Sequence, residues 1–326
     1  MTVETTAPKR ARAAGARAVD GATREANHVS VPMAWRLGLG DFVRQTVAQV
    51  RRHSLNVYAG NFAFRGLFAV FPSLIALFWL LKAAHADALI RALHDLVGTA
   101  MPEPAAKPIQ QQLAAVPGDQ ANGAFTVGAL LALVVALWAI SGMFRAAMEA
   151  MSAVYGVEDR RSAVKRAVVS LGLGLAVAAL LVGALFLVVF GSALAQRGAD
   201  ATGLGPLFRV TWGLLTWPVL TLFVLSACAL IYYFAPDVEQ RARWISMGAI
   251  LATALWLLFT VVYSIYINNV ADYEEIYGAL AGIALLMAYV YGSSFILLLG
   301  AEMNQVIETS HPGGKSEGER APGPGS

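Results

Sequence analysis

The sequence predicts an all-α polytopic integral membrane protein, a bundle of six transmembrane helices with an N-terminal amphipathic helix. Hydrophobic residues make up 57% of the 326 residues and charged residues only 14%, whereas soluble domains carry roughly a quarter charged residues. The apolar residues are gathered into six runs of about 20 residues or more, the length at which an α-helix crosses about 30 Å of hydrocarbon. A soluble helical protein would have shorter apolar runs, interrupted by charge.

The predicted spans follow one another through polar connections. They cover approximately residues 62–81, 123–143, 167–193, 210–234, 244–267 and 279–301. Pro72 and Pro218 lie inside the first and fourth spans, where each removes a backbone hydrogen bond and should kink the helix. An acidic loop with Asp272, Glu274 and Glu275 joins the last two spans. This connection is too short for a domain, which predicts a transmembrane helical hairpin.

Three further segments complete the predicted organisation around the membrane. Residues 1–32 and 309–326 lack bulky apolar side chains and are predicted to be disordered tails that flank a membrane domain of residues 33–308. Between residues 33 and 58, apolar residues alternate with arginines. This pattern predicts either a basic amphipathic helix in the lipid headgroup region or a solvated helix that caps the bundle.

Loop charge predicts the orientation of the spans. Ten basic residues fall on one side of the membrane: Arg44, Arg51, Arg52, Arg145, Arg160, Arg161, Lys165, Arg166, Arg241 and Arg243. Five fall on the other side, over a longer total loop length: Lys82, Arg91, Lys107, Arg197 and Arg209. The positive-inside rule therefore places both termini in the cytoplasm.

Residues for catalysis or metal binding are sparse. The one cysteine, Cys228, lies in an apolar run, so disulfides and Cys-based zinc sites within one chain are excluded. No two of the five histidines have the spacing of a metal-ligand pair, and no glycine-rich phosphate loop is present. We therefore expect no metal, no cofactor and no nucleic-acid partner, and ribonuclease activity is disfavoured.

Polar residues inside the predicted spans are the better functional indication, because they are costly to bury in lipid. Arg65 lies near the cytoplasmic end of the first span and Glu302 at the corresponding end of the last. They are candidates for an ion pair or for substrate binding, although Arg65 could also reach the headgroups along its own stem. Ser141-Gly142 and Ser293-Ser294 could unwind locally, as in transporters, or serve as ordinary packing residues.

A set of cytoplasmic basic residues forms the second candidate feature. Its members are predicted to attract anionic lipid headgroups: Arg44, Arg51, Arg52, Arg160, Arg161, Lys165 and Arg166.

Several motifs resemble the YihY/BrkB family of bacterial inner-membrane proteins, historically named ribonuclease BN. They are Phe-Pro-Ser-Leu-Ile-Ala-Leu at residues 71–77, Tyr-Gly-Val-Glu at 155–158, Tyr-Tyr-Phe-Ala-Pro-Asp at 232–237 and Leu-Leu-Leu-Gly-Ala-Glu-Met-Asn at 297–304. The resemblance implies a multi-pass location in the inner (plasma) membrane but does not specify an activity.

Two functions from different classes therefore stay open. One is a transporter or exporter of a lipid or amphiphilic anion. The other is a non-transporting factor that organises envelope proteins. We expect membrane lipids as partners in either case, with a homo-oligomer or an envelope protein as a further possibility.

Overall fold

The computed structural model describes residues 38–86, 89–91, 123–202, 205–238, 246–270 and 281–310. The predicted tails lie outside the described residues except for 309–310, and so do the acidic loop and residues 92–122. The chain divides into two compact units, Met1–Val43 and Arg44–Ser326. The bundle and the sites considered below belong to the second unit.

The described part of the chain is helical and contains no strand. The helices are α1 (Leu39–Arg52), α2 (Leu55–Ala83), α3 (Gly123–Val154), α4 (Ala163–Thr202), α5 (Gly205–Phe234), α6 (Met247–Val270) and α7 (Ala281–Thr309). Six of them, α2 to α7, are long and apolar enough to cross a membrane. The predicted all-α membrane fold is therefore confirmed.

The helices extend beyond the apolar runs that predicted them. The second run was predicted over residues 123–143, yet α3 continues to Val154, and α7 continues past residue 301 to Thr309. The backbone hydrogen bonds of a helix are satisfied within the helix in lipid and in water alike, so a helix need not end where hydropathy falls. Ser141-Gly142 and Ser293-Ser294 lie within continuous helix. The alternative of local unwinding is therefore wrong, and packing is the better interpretation.

A break in the helix separates α1 from α2. Ser54 adopts φ 51° and ψ 46°, the left-handed conformation, which residues other than glycine adopt at some cost. The break places His53 between the two helices. The location of α1 at a membrane surface stays a prediction.

The six membrane helices close into a ring in chain order. Each of α2 to α6 packs on the next helix along the chain, and α7 packs on α2 and also on α3. Large apolar side chains point away from the ring; Trp138, Leu214 and Trp217 are each at least 70% exposed. A soluble monomer rarely exposes so much apolar surface, whereas a lipid-facing exterior requires it.

The largest fully buried side chains lie towards the end of the ring where α2 begins and α3 and α7 end. Leu55, Met148, Met151, Val154 and Leu298 have no exposed surface. The polar residues discussed below lie at this end of the bundle.

Candidate functional site

The first candidate site lies between α2 and α3 and contains Arg65. This residue lies about 15 Å along α2 from the start of the helix, at 1.5 Å per residue. Its side chain is exposed, and its Nε donates a hydrogen bond of 3.1 Å to Oδ1 of Asn61, one turn earlier. Arg65 is therefore held on the outer surface of α2.

Arg145 on α3 approaches the same point. A Cβ atom built on Gly142 would lie 3.8 Å from Nη1 of Arg65 and 4.0 Å from Nη2 of Arg145. Both guanidinium groups therefore lie near Gly142, with these two nitrogen atoms at most about 8 Å apart. Arg145 lies about 13 Å from the end of α3, a distance similar to that of Arg65 from the start of the antiparallel α2.

No carboxylate neutralises this pair within the part of the chain that the structure describes. Glu149, the only acidic residue of α3, follows Arg145 by one turn but is exposed and forms no ion pair with either arginine. Two adjacent guanidinium groups repel each other and favour an anion between them. Their planar fork matches the oxygens of a phosphate or carboxylate. The arrangement is therefore suited to hold an anionic group.

The prediction that Arg65 and Glu302 form an ion pair is wrong, because Glu302 has a different partner. Glu302 is completely buried, and its Oε1 lies 2.7 Å from Nδ1 of His53, whose side chain is 11% exposed. The break at Ser54 brings His53 to α7, whereas Arg65 lies beside Gly142 of α3. A role for Arg65 or Glu302 in substrate binding stays a prediction.

Other buried polar groups accompany the His53–Glu302 pair near the end of the bundle. Tyr155 is the first residue after α3. Burial of its side chain, together with the negative charges of Glu308 and Glu302, raises its pKa. Gln305, one turn after Glu302, is 3% exposed and its side-chain nitrogen and oxygen have no hydrogen-bond partner. A polar cluster of this kind is unusual at the end of an otherwise apolar bundle.

The predicted basic surface separates into two groups. Five of its residues are exposed: Arg44, Arg51, Arg52, Arg160 and Lys165. Arg161, by contrast, is only 10% exposed and donates hydrogen bonds to the carbonyl oxygens of Phe234, Ala235 and Pro236. Its assignment to the surface is therefore wrong, because its guanidinium satisfies carbonyl groups at the end of α5.

Arg166 is partly withdrawn from the surface as well. Its Nε lies 2.9 Å from Oδ2 of Asp159, and its Nη2 donates to the Asp159 backbone carbonyl at 3.3 Å.

Among the described residues, no group of three or more His, Cys, Asp or Glu side chains could hold a metal ion.

Sequence reasoning missed the roles of His53 and Arg145. Arg145 entered only the count of loop charges, although its distance from the end of its helix matches that of Arg65. This shared depth becomes visible only from the observed start of α2 at Leu55 and the observed end of α3 at Val154. His53 had no signal either, since nothing in the local sequence shows that the helix breaks beside it.

Comparison with known proteins identifies the family. The family described as Virulence factor BrkB matches residues 46–324. The ribonuclease-like protein YfkH of Bacillus subtilis is 30% identical over 54% of this chain, and the match spans 64% of YfkH. A UPF0761 membrane protein of Pseudoalteromonas atlantica is 28% identical over 84% of this chain and 88% of its own length.

A third relative, a UPF0761 membrane protein of Xanthomonas oryzae, is 28% identical over 75% of this chain and 55% of its own length. No solved structure matches the chain. The family match covers the whole bundle, and the motifs that resemble YihY/BrkB proteins lie inside it. The chain therefore belongs to the Virulence factor BrkB family of membrane proteins.

Proposed function

We propose that the protein moves or exports a lipid or an amphiphilic anion, and that Arg65 and Arg145 hold its anionic group. The carrying observation is the approach of two guanidinium groups to Gly142, with no carboxylate paired to either. An unpaired charge within a membrane span is costly, and such residues commonly mark a pathway. An anion bound between the arginines would offset that cost.

The surroundings of Arg65 favour an amphiphile over a small inorganic ion. Phe64 and Phe68 are 56% and 60% exposed, and their ring centroids lie 4.8 Å apart. A charged group therefore adjoins an exposed aromatic surface on α2. This combination suits a ligand with an anionic head and an apolar tail.

Replacement of both arginines provides the direct test. In proteoliposomes with a labelled anionic phospholipid, Arg65→Gln and Arg145→Gln should each reduce the initial rate of movement about 10- to 100-fold, since each removes one charge-assisted contact worth about 1.5–3 kcal/mol. The double variant should show no movement above the protein-free background. The rate is measured by accessibility of the label to an impermeant quencher.

Arg91→Gln is the matched control, because Arg91 is exposed and lies outside this site. It should move lipid at the wild-type rate. Equal rates in the wild type and the double variant would contradict the proposal. Lipid binding without movement would instead favour the function in organising envelope proteins.

We further propose that the protein lies in the bacterial inner membrane, that it is not an enzyme and that it does not bind nucleic acid. The name of YfkH raises ribonuclease activity as the competing function. Against it, both candidate cations lie within apolar helices long enough to cross a membrane, where an RNA backbone would have to give up its hydration. RNA cleavage by the purified wild type that is lost in Arg65→Gln would overturn this part of the proposal.

The proposed orientation has both termini in the cytoplasm. Single cysteines at Ala84 and Ser162, both exposed positions, are introduced into a Cys228→Ser background. An impermeant thiol reagent applied to intact cells should label position 84 and leave position 162 unlabelled. Labelling of position 162 alone would show that the orientation is the opposite of the one proposed.

A further inference from the structure

The His53–Glu302 pair can bind a proton in a site that is separate from the arginines. Oε1 of Glu302 and Nδ1 of His53 are 2.7 Å apart, a hydrogen-bond distance across which one proton is shared. A neutral imidazole beside a carboxylate carries one negative charge, and uptake of one proton makes the pair neutral overall. Because Glu302 has no exposed surface, that change in charge occurs inside the protein, where it has a large energetic effect.

We propose that His53 and Glu302 form a proton-binding site whose occupancy is coupled to anion movement through α2. The inference rests on the function proposed above, for which it names the coupling ion. His53 retains 11% exposure, which gives the proton a way in from the aqueous side at this end of the bundle. In coupled movement the proton is released to the opposite side of the membrane when the pair is again deprotonated.

The acidic groups around the pair favour uptake of a proton, whereas the cationic Arg51 and Arg52, which directly precede His53, disfavour it. Tyr155 approaches from the end of α3, and Glu308 lies two turns further along α7; both interact electrostatically in this cluster. Tyr232 of α5 adjoins Tyr155 and donates its hydroxyl to the carbonyl of Leu297. The second carboxylate, Glu308, adds negative charge to the cluster and so favours the protonated pair.

Helices α2, α3 and α7 connect the proton site, formed by His53 and Glu302, to the arginine site, formed by Arg65 and Arg145. Phe62 of α2, Ala146 and Ala147 of α3, and Leu297 of α7 pack together between the two sites. His53 lies two residues before the start of α2 at Leu55, and Arg65 lies on that helix. A change in the contact between His53 and α7 therefore acts on the start of the helix that carries Arg65.

Titration of His53 tests the site itself. The full chain with ¹³C-labelled histidine is reconstituted in lipid nanodiscs, and the His53 signal is identified by its loss in His53→Asn. In Glu302→Gln the titration midpoint of His53 should move to lower pH by about one unit or more, because the protonated imidazole loses its carboxylate partner. In the control Glu149→Gln, which replaces an exposed acid, the midpoint should not move. An unchanged midpoint in Glu302→Gln would overturn the proton site.

Lipid movement under a proton gradient tests the coupling. The wild-type rate should fall severalfold when an ionophore collapses the gradient, and His53→Asn should lose this response while Glu149→Gln keeps it. Movement that ignores the gradient in the wild type would overturn the coupling and leave the proposed function intact. Absence of any movement would overturn both the function and the coupling. If Glu302→Gln fails to fold, the gradient response of His53→Asn alone decides.

Discussion

Replacement of Gly300 with alanine is expected to destabilise the bundle by about 1–3 kcal/mol, and Gly300→Leu to prevent its assembly. A Cβ at this position would collide with the Tyr232 hydroxyl and would lie 2.6 Å from the Ala252 Cβ and 2.9 Å from the Gly248 carbonyl oxygen. Two of these neighbours are backbone or Cβ atoms, which cannot rotate away. Thermal unfolding in detergent, followed by circular dichroism, measures the loss.

The collision at Gly300 would also break a hydrogen bond. The Tyr232 hydroxyl donates to the carbonyl of Leu297 at 2.6 Å, and its displacement would leave a buried polar group without a partner. Gly172→Ala is the matched control, since nothing lies within 4 Å of a Cβ built there. Its unfolding midpoint should equal or slightly exceed that of the wild type, because alanine favours a helix over glycine. Equal midpoints for Gly300→Ala and Gly172→Ala would show that α5, α6 and α7 do not pack as closely as described.

Replacement of Arg161 with alanine is expected to cost about 2–4 kcal/mol. The Arg161 guanidinium donates to the carbonyl oxygens of Phe234, Ala235 and Pro236 at 3.2, 3.0 and 2.8 Å. Its Nε also lies 3.3 Å from Oδ1 of Asp237. Removal of the side chain leaves three carbonyl groups and a carboxylate without this donor. The loss is measured as the decrease in the free energy of unfolding in mild detergent.

Two variants show whether the forked geometry of the Arg161 guanidinium or only its charge accounts for the loss of stability. Arg161→Lys should recover less than half of the loss, because a single ammonium group cannot reproduce the arginine fork. Arg160→Ala is the control: the Arg160 side chain is exposed, and the backbone nitrogen that donates to Asp237 at 3.0 Å is retained. A loss in Arg160→Ala equal to that in Arg161→Ala would contradict the assigned role.

The sequence alone determined the number and the approximate places of the membrane helices. Transfer of a side chain into lipid contributes a nearly local free energy, so a run of apolar residues is sufficient to identify a span. The sequence did not determine how far Arg65 and Glu302 lie from the ends of their helices, because α2 begins before the first apolar run and α7 continues past the last one to Thr309.

The tertiary structure alone decided which polar residues meet. Rotation of a helix about its axis and its choice of neighbour are set by packing against other helices, and no local pattern determines them. Arg65 therefore faces Gly142 and Arg145 on α3, and Glu302 faces His53, which a left-handed Ser54 places beside α7. The position of Arg161 also depends on tertiary structure. Its side chain is largely buried because its guanidinium donates to carbonyl groups at the end of α5.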